Sequence, residues 1–132
     1  MRVEVDDREP LWVDALLVAQ GFDVDRKRLK VGDYVCGGVV VERKTVDDLC
    51  GSIVDGRLKG QVEKMKGSFD RVYVLVSGSL SDRRSAIHIN SVLGMMVSLL
   101  VDDGVQVMVL ENDEQLFWAM KRLFERCGDG EE

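Results

Sequence analysis

The segment Gly32-Asp33-Tyr34-Val35-Cys36-Gly37-Gly38-Val39-Val40-Val41-Glu42-Arg43-Lys44 sets two β-prone runs on either side of a Gly-Gly pair. Glycine accepts the positive φ angles of a two-residue turn, so the pair predicts a β-hairpin. With Gly37 and Gly38 as the turn, Cys36 faces Val39, Val35 faces Val40, Tyr34 faces Val41 and Asp33 faces Glu42. The two carboxylates then become cross-strand neighbours with Cβ atoms about 5 Å apart. Lys44 lies two residues past Glu42 and shares its face. Arg43 points to the opposite face but offers its carbonyl at the same edge.

Like charges that close are destabilising unless something compensates them. Two oxygen ligands one cation apart suit Mg²⁺ or Mn²⁺, which take carboxylate, carbonyl and water oxygens. Such an ion lowers the pKa of bound water and stabilises charge on a phosphoryl oxygen. A neighbouring lysine can position water or neutralise charge in the transition state. The pattern therefore suits metal-dependent phosphodiester hydrolysis. The plain alternative is a turn aspartate after Gly32 and a solvated strand end at Glu42-Arg43-Lys44.

Working outward, Val3 and Val5 alternate with Arg2 and Glu4 as in a short strand. Pro10 opens a helix whose expected apolar face is Leu11, Trp12, Ala15, Leu16 and Ala19, with Gly21 as its end. A second strand is expected over 22–29, ending in the basic cluster Arg26, Lys27, Arg28 and Lys30. Thr45 caps a helix over 45–67, with breaks near Gly51 and Asp55-Gly56. A buried strand over 72–76, a helix over 86–101, a strand over 105–110 and a helix over 113–127 follow. Gly128 ends that helix, leaving 128–132 as an acidic tail after a single domain, 1–127. Alternating strands and helices, with an antiparallel hairpin at the front, predict an α/β fold. Its mixed central sheet carries helices on both faces.

Composition excludes several classes. A single histidine, His88, rules out a multi-histidine zinc site. Cys36, Cys50 and Cys127 have no CxxC spacing and read as reduced thiols. The charged N-terminus is no signal peptide, and the apolar run 92–101 is too short to span a bilayer. The net charge of -6 argues, at face value, against nonspecific binding to nucleic acid.

Gly32-Asp33, Glu42-Arg43-Lys44 and, three residues on, Asp48 follow the order GD-x(n)-ERK-x3-D. Asp6-Asp7-Arg8-Glu9 fits D-x-R-E at the end of the first strand. Ser52-Ile53-Val54-Asp55-Gly56-Arg57 fits S-(L/I)-x-D-G-R, with Gln61 at the following glutamine. In these elements the sequence resembles the nuclease domain of the XPF family of structure-specific endonucleases, of the archaeal XPF and Hef type. The segment 90–107 resembles that family's later helix and strand.

The resemblance implies a restriction-endonuclease-like three-layer sandwich. It implies Asp33 and Glu42 as ligands of Mg²⁺ or Mn²⁺, helped by the Arg43 carbonyl, and Lys44 as the residue that positions water. Asp6, Arg8, Glu9, Arg43 and Asp48 would support the metal. Arg57 and Gln61 would lie beside it, contacting DNA phosphate or bracing carboxylates. From the residues alone, Asp48 reads equally as a first-turn helix acid, and Arg8 and Arg57 as members of surface ion pairs. Arg57 and Lys64, like Lys59 and Lys66, are seven apart and share a helix side. They read either as a phosphate-tracking stripe or as a solvated face.

The helices 86–101 and 113–127 are apolar on more than one side, which suits core packing or a symmetric homodimer. The resemblance favours the homodimer. Family members carry a tandem helix-hairpin-helix module after the nuclease domain, and some a helicase before it. Neither lies within these 132 residues, so such functions would come from separate partners or from a longer chain. The expected activity is divalent-metal-dependent cleavage of branched DNA, flaps and forks, near single-strand/double-strand junctions in repair or fork processing. The alternative is a catalytically silent partner subunit that dimerises and binds forks. The expected location is the cytoplasm and nucleoid of a prokaryote or archaeon, or a eukaryotic nucleus.

The acidic balance is less restrictive than it first reads. Asp129, Glu131 and Glu132 carry three of the negative charges, and a divalent cation would cancel those of Asp33 and Glu42. A nearly neutral domain of this kind should bind DNA weakly, with help from metal, dimerisation or a partner.

Overall fold

The computed structural model describes residues 1–129. Six strands form one mixed sheet: β1 (Arg2–Asp6), β2 (Asp23–Lys27), β3 (Tyr34–Cys36), β4 (Val39–Thr45), β5 (Arg71–Ser77) and β6 (Gln106–Leu110). Their order across the sheet is β2-β1-β3-β4-β5-β6. β3 runs antiparallel to both β1 and β4, while β1–β2, β4–β5 and β5–β6 are parallel. The hairpin register is the one its turn dictates: Tyr34 opposite Val41, Val35 opposite Val40, Cys36 opposite Val39. Gly37 takes a φ of 60°, the conformation such a turn needs.

Five helices cover the sheet: α1 (Trp12–Ala19), α2 (Val46–Val54), α3 (Leu58–Lys66), α4 (Ile89–Asp103) and α5 (Asp113–Asp129). The odd and even side chains of the central strands supply two separate cores. Val35, Val40, Val74 and Val76 pack with Leu49, Leu58, Val62, Val92 and Leu99 of α2, α3 and α4. On the other face Tyr34, Val39, Val41 and Leu75 pack with Val13 and Leu17 of α1 and Leu116, Phe117, Met120 and Phe124 of α5. This is the expected three-layer α/β/α sandwich. No disulfide joins Cys36, Cys50 and Cys127. No helix among the described residues is long and apolar enough to cross a membrane.

Four expectations need correction. α1 buries Val13 and Leu17, not the stripe through Leu11, Trp12, Ala15 and Ala19, which faces outward. The chain between Thr45 and Lys66 breaks only at 55–57. Gly51 stays inside α2 because its backbone carbonyl accepts from the Asp55 N–H at 2.9 Å. α4 begins at Ile89, later than expected, because His88 is its cap and accepts from the Asn90 N–H at 3.0 Å. α5 continues through Gly128 to Asp129. Met1 lies where a Cβ on Gly128 would sit, so the missing side chain serves close packing rather than termination. The rest of the expected tail, 130–132, lies outside the described residues.

Candidate active site

β3 and β4 are the two middle strands, and the chemistry-bearing residues sit at their shared end. Asp33 immediately precedes β3. Its N–H donates to the Val41 carbonyl at 3.0 Å, and its own carbonyl accepts from the Asp6 N–H at 2.9 Å. The backbone of Asp33 is thus pinned between β1 and β4. One carboxylate oxygen, Oδ2, accepts from the Arg43 N–H at 2.8 Å. Glu42 lies on β4 with Oε2 3.5 Å from Nζ of Lys44. The lysine side chain is itself only 8% exposed.

Burial, and then the charge of Glu42, push the Asp33 carboxyl up to about 8 from an ordinary 3.8. Burial also raises Glu42, against the opposing pull of Lys44. The charge of Glu42 therefore disfavours ionisation of Asp33, and burial makes that repulsion stronger.

The opposite face of β4 carries a brace. Arg43 donates from Nε to Glu9 Oε1 at 2.9 Å, and its Nη1 lies 3.6 Å from Asp113 Oδ1. The Tyr34 hydroxyl donates to the same Glu9 oxygen. The Arg43 guanidinium lies 5.7 Å from each of the ring centroids of Trp12 and Phe117, an arrangement favoured by the electron-rich ring faces. Arg43 therefore ties α1 and α5 to the strand whose N–H holds Asp33. Asp6 does not present free oxygens. It accepts from Arg8 Nε at 2.8 Å, from Arg8 Nη2 at 3.1 Å and from the Leu29 N–H at 3.1 Å. Burial raises the Asp6 carboxyl, but these hydrogen bonds outweigh it and hold the group below its ordinary value.

A cavity of about 380 Å³ opens over the pair. It gathers Asp33 and Glu42 with Asp6, Arg8, Glu9, Gln61 and Lys64. Gln61 Oε1 is buried with no hydrogen-bond partner among the described residues. Lys30 also lines the cavity; the cluster over 26–30 reads in sequence as DNA-tracking or, in preference, as a polar strand end, and nothing there assigns Lys30 to this site. Its sequence signal was its place just before Gly32-Asp33, at the end of the basic cluster. The rest of that cluster is consumed by ion pairs: Arg26 with Asp14 at 2.7 Å, Arg28 with Asp7 at 2.6 Å, and Lys27 with Glu4 and Asp25 at 3.5 Å each.

Other expected residues lie elsewhere. Asp48 sits exposed in the first turn of α2, where its N–H donates to Thr45 Oγ1 at 3.1 Å. Its carboxylate makes no ion pair among the described residues and does not line the cavity. That placement is the helix-dipole position, and it leaves Asp48 apart from the cluster. Arg57 is also outside the cavity, exposed and 3.3 Å from Asp55. Lys59 and Lys66 do not form a free stripe. They reach Asp102 and Asp103 at the end of α4, at 3.4 to 3.9 Å.

Among the described residues, no group of three or more His, Cys, Asp or Glu converges as a metal site. The donor set for a cation is thus the Asp33 and Glu42 carboxylates plus backbone carbonyl oxygen and water. That set fits Mg²⁺, which is commonly held by one or two carboxylates and keeps several waters.

The ERCC4 domain profile matches residues 5–122. The 3'-flap repair endonuclease Xpf of Saccharolobus solfataricus is 29% identical over 134 aligned positions, covering 99% of this chain and 58% of that protein. A Methanocaldococcus jannaschii protein that carries the name of an ATP-dependent RNA helicase is 34% identical over 116 positions, 87% of this chain but 14% of that one. The chain thus spans only part of either relative. XPF from Aeropyrum pernix superposes with a TM-score of 0.89 at 30% identity, over 97% of this chain and 65% of that one. In complex with DNA, the Aeropyrum protein superposes with a TM-score of 0.82. The fold is accordingly the restriction-endonuclease-like fold of that nuclease domain, and the chain belongs to the ERCC4-domain family of XPF-type nuclease domains.

Proposed function

We propose that this chain hydrolyses phosphodiester bonds of branched DNA, cutting flaps or forks near single-strand/double-strand junctions in a reaction that depends on Mg²⁺ or Mn²⁺. One observation carries the reading. Two half-buried carboxylates, Asp33 just before β3 and Glu42 on the adjoining β4, line a cavity edged by Arg8, Lys30 and Lys64, with the buried Lys44 amine 3.5 Å from Glu42. The named activity of the Saccharolobus relative and the DNA-bound form of the Aeropyrum protein support it.

A divalent cation at this pair supplies water of lowered pKa and neutralises charge on phosphoryl oxygen. Asp33 and Glu42 would hold it, with the Arg43 carbonyl as a third oxygen. Lys44 does not itself line the cavity but lies 3.5 Å from Glu42, where it would neutralise charge that develops on an oxygen during attack. Arg8, Lys30 and Lys64 would set the phosphate backbone across the cavity, and the buried Gln61 amide offers an unused acceptor beside it. Arg43, Glu9 and Tyr34 hold the strand end in place from behind.

The test is cleavage of labelled flap, fork and duplex DNA with Mg²⁺, Mn²⁺ or chelator, by the chain and its Asp33→Asn variant. Cutting of flap or fork over duplex, lost in the variant and with chelator, is the expected result. Equal cutting of flap and duplex would remove the structure-specific claim, and an active Asp33→Asn protein would remove the site.

A further inference from the structure

The stripe on α1 has helical spacing, yet it does not enter the core. Leu11, Trp12, Ala15, Val18 and Ala19 face outward, with Leu11 78%, Trp12 48% and Val18 60% exposed. Across from it Trp118 of α5 is 62% exposed. Between the two helices runs an apolar groove of about 740 Å³. Its charged lining is acidic only: Asp113 and Glu114 at the start of α5. The Trp12 wall is fixed from below by its stacking on Arg43 and its edge contact with Phe117 at 5.6 Å. A rigid aromatic wall costs little ordering on binding.

We propose that the α1/α5 groove is a docking site for an amphipathic helical segment of a partner protein, with aliphatic anchors and Lys or Arg beside them. An unpartnered apolar groove between two helices is the receiving half of helix-in-groove recognition. Charge complementarity selects the basic occupant: Arg43 already pairs with Asp113 from beneath the wall at 3.6 Å, but the exposed Glu114 has no ion-pair partner among the described residues, and no cation among them lines the groove. The same charges disfavour a second copy of this chain. An isologous contact centred on the groove would bring the acidic rims of both copies together. The site lies on the far side of the sheet from the carboxylate pair and does not rest on the proposed cleavage.

Trp12 and Trp118 are the only two tryptophans, and both line the groove, so intrinsic emission reports occupancy directly. The probe is a synthetic Leu/Lys amphipathic helix of about three turns, titrated beside its Leu/Glu counterpart. The Leu/Lys peptide should shift tryptophan emission saturably and the Leu/Glu peptide should not. Ala15→Arg, at an exposed position in the groove, should weaken binding by about tenfold or more, the effect of blocking an anchor site. Glu114→Lys should weaken the Leu/Lys peptide and favour the Leu/Glu one. Circular dichroism checks that both variants fold. Equal binding of the two peptides, or unchanged binding by a folded Ala15→Arg, overturns the proposal. So does a rise in mass with concentration that Ala15→Arg abolishes, since the occupant would then be a second copy.

Discussion

Asp33 is the residue on which the energetics of the site turn. The fold raises its carboxyl, so the protonated form is the one the folded state favours. The associated stability is complete below the ordinary value of 3.8 and is lost as pH climbs through about 8. In chelator, wild-type melting temperature should therefore decline relative to Asp33→Asn across that interval, by a gap of several degrees on the order expected for a domain of this size. Asparagine still accepts from the Arg43 N–H and carries no charge against Glu42, so the variant should be the more stable protein at pH 8. Parallel melting curves would show that Asp33 is not the strained group. A cation that binds the wild-type pair should release a proton at neutral pH, and isothermal titration in two buffers of different ionisation enthalpy reads that release.

Among elements, the β3–β4 hairpin was the most legible in sequence, because a Gly-Gly turn between valine runs leaves one register open. Its Tyr34, Val35 and Cys36 partners follow from that turn alone. The α1 face was illegible for a physical reason. That helix is apolar on both sides, and periodicity cannot say which side meets the sheet. Lys30 and the Glu9–Tyr34–Arg43 brace were also hidden, since they depend on β1 lying beside β3, a pairing between distant segments. Gly32 offers a test of how tightly the hairpin is seated. Its φ is +77°, and a Cβ there would lie 2.2 Å from Cγ2 of the fully buried Val40. Gly32→Ala should cost on the order of 3 kcal/mol in urea denaturation, from left-handed backbone strain and overpacking together. Adding Val40→Ala should recover only part of that loss, because the backbone strain remains.

At the scale of the molecule, the sequence marked the helices over 86–101 and 113–127 as too apolar for one core. The outer side of α4 does expose Leu93, Val97, Leu100 and Val101. Spacings of four, seven and eight put these on one face, the α4 part of the homodimer surface expected from the helices over 86–101 and 113–127 together. Val97→Glu should convert a two-chain mass by light scattering into a one-chain mass with the helical signal intact; a one-chain wild type would remove the dimer. The position of the hairpin at the middle of the six-strand order has a further consequence. A two-residue turn closes at small entropic cost, and strands on both sides then protect it from solvent. Amides of Val35, Val40 and Val41 should be the slowest in the domain to exchange with deuterium, at the rate of global opening. The carboxylate pair is thus built beside the last part of the protein to come apart.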